Sequence, residues 1–270
     1  MNNGYKKFIE KNLEIVNKEG ELVPFKLNAI QGKFLIDDFT NPKAIILKAR
    51  QQGFSSLILA VFLADFLLKE NTYNVVVADE ASNAQGLLKR VKDYLKSWAT
   101  KGGFDIDKVL KYNSKYELYL ESTNSTYHIG TAQNTNFGRS KTITNLHLSE
   151  GAFYPHFEDL TSGAMQAVVP TGRVIIETTA NGFNKFKTYW DKTVSGDTPF
   201  KPHFYPAQDF YSREFLQQKE KELGRLYKQE YPATPLEAFI TSGETYFDSD
   251  SLGHYLDLIR KPMIEGVIYG

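Results

Sequence analysis

The stretch Ala44-Ile-Ile-Leu-Lys48-Ala-Arg50-Gln51-Gln52-Gly53-Phe54-Ser55-Ser56 decides how this chain folds. Residues 44–47 form a short apolar run that reads as a buried strand, Gly53 breaks the chain, and residues 55–68 read as a buried helix. A strand that runs through a short loop into a helix presents helix N-terminal amides, and these amides and the helix dipole favour anions, phosphates above all. The usual phosphate loop reads G-x-x-x-x-G-K-[ST]. Aligned on Gly53 and Ser55, this chain has Lys48 where the first glycine belongs and Phe54 where the lysine belongs. The cation has moved to the start of the loop, and Arg50 adds a planar donor suited to phosphate oxygens.

Outward from this stretch, apolar β-branched runs alternate with segments of helical period. Strands are expected at residues 74–78, 143–148 and 173–178, helices at 84–98, 157–167 and 184–191, and a hairpin at 117–120 and 126–129. Strands linked by crossover helices imply an α/β fold with a mainly parallel sheet. Near residue 199 the texture changes: Pro202, Pro206, Pro232 and Pro235 bracket a charged helical segment, 212–229, interrupted by Gly224. The expected organisation is a core over 1–198, a small helical lid over 199–245, and the start of a linker over 246–270.

Composition narrows the function classes. Lys+Arg and Asp+Glu both number 32, so the whole-molecule field makes no case for nucleic-acid or membrane binding, and any DNA contact must be local. Cysteine is absent, which removes disulfides, thiolate metal sites and cysteine nucleophiles. The 5 histidines are scattered, so no histidine metal site is expected. The polar N-terminus lacks the apolar core of a signal peptide, and the greasy run at 57–64, ended by Asp65, is far shorter than the roughly 20 residues a membrane helix needs.

Two further strand ends carry chemistry. Ile143-Thr-Asn-Leu-His147-Leu-Ser149-Glu150 is an apolar strand ending in an acid. Phosphate-loop ATPases there place an aspartate that orders Mg²⁺ through water and a glutamate that polarises the attacking water. Here Ser149 holds the aspartate position and Glu150 remains as base. Ile175-Ile-Glu-Thr178-Thr179-Ala-Asn-Gly182 ends in hydroxyls that could sense a γ-phosphate, with Gly182 allowing the following chain to move.

Together these residues resemble the large terminase subunits of tailed bacteriophages. Lys48-x-Arg-Gln-x-Gly-Phe-Ser looks like that family's deviant phosphate loop, His147-Leu-Ser-Glu150-x-Ala-Phe like its second acidic motif in a Ser-for-Asp form, and Thr178-Thr-Ala-Asn-Gly182 like its coupling motif. Phe25-Lys-Leu-Asn-Ala-Ile-Gln31 is similar to the segment whose glutamine reads the adenine edge, and Glu230-Tyr-Pro-Ala-Thr-Pro-Leu-Glu-Ala-Phe239 to a signature near the motor's end. The resemblance spans about residues 20 to 250.

It implies a RecA-like phosphate-loop ATPase core with a lid. ATP would lie on Lys48, Arg50, Gln51, Gln52, Gly53, Phe54, Ser55 and Ser56, with Gln31 at the base. Mg²⁺ would be held by Ser55 and, through water, Ser149; Glu150 and Lys48 would carry catalysis, and Thr178 and Thr179 would couple it to movement. Arg139, in Gly138-Arg139-Ser140 on the polar loop that carries Asn134 and Asn136 before the acidic strand, would act as an arginine finger. Implied partners are double-stranded DNA, which Lys185 and Lys187 could touch, a portal protein, a small terminase subunit and further copies of the chain in a ring, or none for a monomer in isolation. Membrane partners are not implied, and the place of action is the host cytoplasm. The family's nuclease domain, with its aspartate cluster, is not expected within these residues: Asp248 and Asp250 fall in the expected linker. Two alternatives stay open, a helicase-like DNA translocase and a non-hydrolysing nucleotide-binding assembly module.

Overall fold

The computed structural model describes residues 2–133, 141–240 and Leu258, without the side chains of residues 2, 3, 37, 38 and 240. Helix α1 (Asn2–Asn12) leads into the small antiparallel pair β1 (Glu14–Val16) and β2 (Leu22–Pro24), then α2 (Ala29–Lys33). Next come β3 (Lys43–Lys48), α3 (Phe54–Leu68), β4 (Tyr73–Ala78), α4 (Ala81–Gly102), α5 (Ile106–Val109), β5 (Leu110–Asn113), β6 (Glu117–Leu120) and β7 (Ser125–Thr131). The chain continues through β8 (Ile143–Ser149), α6 (Phe157–Gln166), β9 (Val168–Thr178), α7 (Lys185–Val194) and β10 (Lys201–Tyr205). Among the described residues, α8 (Arg213–Leu223), α9 (Tyr227–Glu230) and α10 (Pro235–Ile240) follow.

Strands β3 to β10 form one 8-stranded sheet in the order β10-β3-β9-β8-β4-β7-β6-β5. Pairing is parallel from β10 through β7 and antiparallel for β6 and β5. The expected α/β fold with a mainly parallel sheet flanked by helices is therefore present. Successive strand residues face opposite sides, so each central strand feeds two cores. On β3, Ala44 and Ile46 pack with α1, α3 and α4, while Ile45 and Leu47 pack with α6, α7 and α10. Val76 and Val75 of β4 split the same way. Helix α3 is buried nearly all round, which its uniformly apolar sequence requires.

The strand order positions the site. β9, last of the central strands in sequence, inserts between β3 and β8, so the carboxyl ends of β3, β9 and β8, where the phosphate-loop, coupling and acidic residues are expected, lie side by side. Ligands in open α/β sheets bind outside the carboxyl ends of the strands, where these three ends emerge.

Residues after 199 depart from a purely helical lid. Lys201–Tyr205 is a strand, β10, paired in parallel with β3, so the core sheet extends past 198. The prolines at 202 and 206 obscured it; an edge strand tolerates proline because only one side needs ladder hydrogen bonds. Beyond it, Ser212 caps α8 and Gly224, at φ +52°, ends it, as the charged segment with its glycine break implies. Tyr211, Phe215, Tyr227 and Tyr231 pack on one another and on Ala49 beside the phosphate loop. Helix α10 returns to the core through Ala238 and Phe239. Arg139, Asp248, Asp250 and the expected linker other than Leu258 lie outside the described residues.

Candidate active site

The loop after β3 is shaped by two anchors beneath it. Asn28 caps α2 and forms a capping box with Gln31, whose Oε1 accepts the Asn28 N–H at 3.0 Å. The Gln31 amide then donates to the Gly53 carbonyl at 2.7 Å, and the Asn28 amide donates to Gln52 O at 3.1 Å. Gly53 has φ +83°, a left-handed conformation that favours glycine, and a Cβ there would lie 2.6 Å from Gln31 Nε2, so the amide that clasps the loop would have to shift. It precedes α3 with no side-chain cap, leaving the first-turn amides of a 15-residue helix to an outside acceptor.

The expected loop residues separate into two groups. Arg50 and Gln51 are exposed and Ser55 is half-buried, whereas Lys48 is buried and Phe54 is fully buried against Tyr205, with ring centroids 4.6 Å apart. Gln52 is buried too, its amide donating to Pro206 O at 3.0 Å, and Ser56 lies under the helix start. Gln52, Phe54 and Ser56 therefore offer a nucleotide only their backbone. Gln31, 3% exposed with both ends of its amide engaged, holds the loop and does not present an edge to a base in this conformation. A backbone clasp and a base contact leave the same mark in sequence, a glutamine near a helix start.

At the centre stands Lys48. Its ammonium lies 3.1 Å from Glu150 Oε1 and 3.1 Å from Glu177 Oε2. Burial alone would lower the lysine's pKa, but Glu150 and then Glu177 outweigh it and hold the group protonated well above its ordinary value. Burial likewise works against ionised Glu177, yet Lys48, His147 and Ser55 keep its pKa below the usual carboxylate range. Glu177 Oε1 accepts from Ser55 Oγ at 2.7 Å and Ser149 Oγ at 2.9 Å, with His147 Nε2 at 3.4 Å. Its Oε2 has no well-directed hydrogen bond despite the nearby ammonium.

Glu150 adopts a left-handed backbone, φ +57°, as does Gln51 of the loop at φ +57°. Such conformations are costly for side chains with a Cβ and persist where the surroundings impose them. Here the Glu150 N–H donates to the Glu177 carbonyl at 2.8 Å, and its Oε2 accepts the Thr179 N–H at 3.1 Å with the Thr178 hydroxyl 3.4 Å away. Thr178 and Thr179, the expected coupling residues, thus touch the Glu150 carboxylate directly.

Arg50 is turned toward the lid: its guanidinium lies 2.9 Å from Glu230, its N–H donates to Glu230 O at 2.9 Å, and its carbonyl accepts from Tyr211 at 2.8 Å. The hydrogen bond from Arg50 to Glu230 raises the arginine's pKa further. Gln229 donates to Ala180 O at 3.2 Å, so the lid also touches the coupling segment.

Two clefts, of about 500 and 750 Å³, open on either side and share Arg50, Ser55, Arg90 and Glu150. The larger is lined by all the expected ATP-binding residues, the smaller by Ser149 and Thr179. Arg90, Glu177 and Glu230 were not anticipated. Glu177 could have been, as the one charge in the buried run Val174-Ile-Ile-Glu177-Thr178, because a carboxylate there must find a partner. The hydroxyls of Ser55 and Ser149 and the carboxylates of Glu150 and Glu177 are hard oxygen donors that fit Mg²⁺. Among the described residues no group of three or more acidic, histidine or cysteine side chains is placed to hold a metal ion. No described helix is long and apolar enough to cross a membrane.

No protein-family model matches the sequence. Its structure is similar to the large terminase ATPase domain of Thermus phage P74-26, with TM-score 0.61 and 15% identity over 77% of this chain and 93% of that one. The large terminase of bacteriophage HK97 is matched at TM-score 0.62 and 18% identity, over 96% of this chain and 52% of that one. A large terminase from a thermophilic bacteriophage, in complex with ADP, is matched at TM-score 0.56 and 13% identity, over 75% of this chain and 52% of that one. The chain thus spans about half the length of the HK97 protein and of the ADP-bound one, and it shares the fold of terminase ATPase domains.

Proposed function

We propose that this chain is an ATPase that drives packaging of double-stranded DNA into a viral procapsid, the motor part of a large terminase subunit. The observation that carries the reading is the convergence on Glu150: Lys48 at 3.1 Å from the phosphate loop on one side, and the Thr179 N–H at 3.1 Å from the coupling strand on the other. An acid joined to both a phosphate-loop cation and a movable strand end can orient water for attack and pass on the loss of the γ-phosphate. The shared fold, and the ADP bound to one of the terminases that share it, support the reading.

ATP would lie in the larger cleft with its phosphates on the amides of residues 51–56 and on Lys48. Bound Mg²⁺ would neutralise phosphate charge, with Ser55 and Ser149 on its side of the site. Arg90, which lines both clefts, is a second cation in position for the phosphates. Arg139 is assigned as the finger on sequence grounds, acting on a neighbouring copy's site. DNA, portal, small subunit and a ring of copies complete the proposed machine.

The test is Mg²⁺-dependent ATP hydrolysis against protein concentration. Glu150→Ala is expected to lower kcat about 10²–10⁴-fold, the scale of a lost general base, while nucleotide binding persists. Arg139→Ala is expected to abolish a faster-than-linear dependence on concentration. Unchanged turnover in Glu150→Ala would remove the catalytic assignment and favour a non-hydrolysing nucleotide-binding module.

A further inference from the structure

A strand end that orders Mg²⁺ beside a triphosphate needs negative charge, and the Ser149 hydroxyl has none. The charge stands one strand away. Glu177 of β9 is the register partner of Ser149 in β8 and is fully buried. One of its oxygens gathers both hydroxyls on the cation side, Ser55 at 2.7 Å and Ser149 at 2.9 Å. Its other oxygen lacks a well-directed hydrogen bond, although Lys48 is near. A carboxylate serving only to neutralise Lys48 would not be needed, because Glu150 already lies 3.1 Å from that ammonium. The two acids also differ in access: the Glu150 side chain is 30% exposed and opens to the clefts, whereas that of Glu177 is 0% exposed.

We infer that Glu177 supplies, from the neighbouring strand, the carboxylate that Ser149 lacks, orienting Ser55 and Ser149 toward nucleotide-bound Mg²⁺ and balancing its charge. It is a positioning residue; Glu150 keeps the place beside the attacking water. The inference rests on the ATPase reading and adds a division of labour between the acids: β8 carries the base and β9 the metal's counter-charge.

The experiment measures affinity for a non-hydrolysable ATP analogue in Mg²⁺ and in EDTA, alongside thermal melting, for wild type, Glu177→Gln and the double variant Ser149→Asp/Glu177→Gln. Wild type is expected to bind more tightly with Mg²⁺. Glu177→Gln is expected to lose about 10–100-fold of that advantage, the scale of an outer-shell metal partner, with binding in EDTA little changed. The double variant, with the carboxylate moved to β8, should regain it. Should Glu177→Gln fail to fold, the double variant carries the test: a wild-type Mg²⁺ advantage supports the inference and none overturns it. A full Mg²⁺ advantage in folded Glu177→Gln, or equal loss of binding with and without Mg²⁺, overturns the inference and leaves the ATPase reading standing. Absence of analogue binding in wild type would remove both.

Discussion

Replacing Lys48 with methionine keeps the aliphatic stem and deletes one charge from a site where the Lys48 and Glu177 side chains are 5% and 0% exposed. Removing one partner of a buried pair costs about 3–5 kcal/mol, because the other charge is left uncompensated. Glu177 would keep the hydroxyls of Ser55 and Ser149 at 2.7 and 2.9 Å, which places the expected loss at the lower end, about 3 kcal/mol near pH 8. The pH dependence is the sharper test. In the wild type the Glu177 pKa is held below its ordinary 4.5, so the pair stabilises the fold above that value and the contribution is lost as pH falls toward the depressed one. Without Lys48, burial dominates and the folded pKa rises above the unfolded one. The native state then binds more protons than the unfolded state, and stability rises as pH falls. Urea denaturation of both proteins between pH 8 and pH 5 should show the difference in unfolding free energy shrinking with acidity. Adding Glu177→Gln to Lys48→Met should recover part of the loss at pH 8. A difference that stays constant with pH, or a double variant less stable than Lys48→Met by the full cost of a second lesion, would refute the assignment of Glu177 as the buried charge.

Gln31→Ala should lower stability by about 1–3 kcal/mol, since it removes a capping box and leaves the Gly53 carbonyl without its donor, and ATP-over-GTP preference should stay as in the wild type. Unchanged melting with altered base preference would show that Gln31 reads the base after all. Arg50→Ala removes an ion pair whose arginine side chain is 59% exposed, so unfolding should change by less than about 1 kcal/mol. Because that pair ties the lid to the phosphate loop, protease cleavage within residues 212–230 should become faster in the variant; equal rates would show that the latch does not hold the lid.

The loop, lid and coupling segment form one hydrogen-bonded unit, which gives the proposed coupling a physical path. Arg50 of the loop reaches Glu230 and Tyr211, Gln229 reaches Ala180, and Thr179 reaches Glu150. A nucleotide whose phosphates draw Lys48 or Arg50 away must break or shift ion pairs at both ends of this unit. Under the proposed function, movement of the lid would follow from competition for two cations, each of which is paired with an acid.

By itself the sequence determined the α/β class, the positions of the central strands and helices, and the three strand ends, because these depend on local period and on positions such as 53, whose left-handed backbone favours glycine. It also marked Lys48 and Glu150, since a cation in a strand-to-helix loop and an acid at an apolar strand's end are visible within a few positions. Tertiary structure alone decided which side chains turn inward. Phe54 and Gln52 sit in the middle of the phosphate loop yet pack into the core, and Gln31 clasps the loop beneath it. It alone decided that β10 completes the sheet and that β9 lies between β3 and β8, which brings Glu177 to Lys48, Ser55 and Ser149. Strand order is set by crossovers and by the shared burial of two faces, neither of which leaves a local mark, so a carboxylate 129 positions after its lysine could be matched to it only in three dimensions.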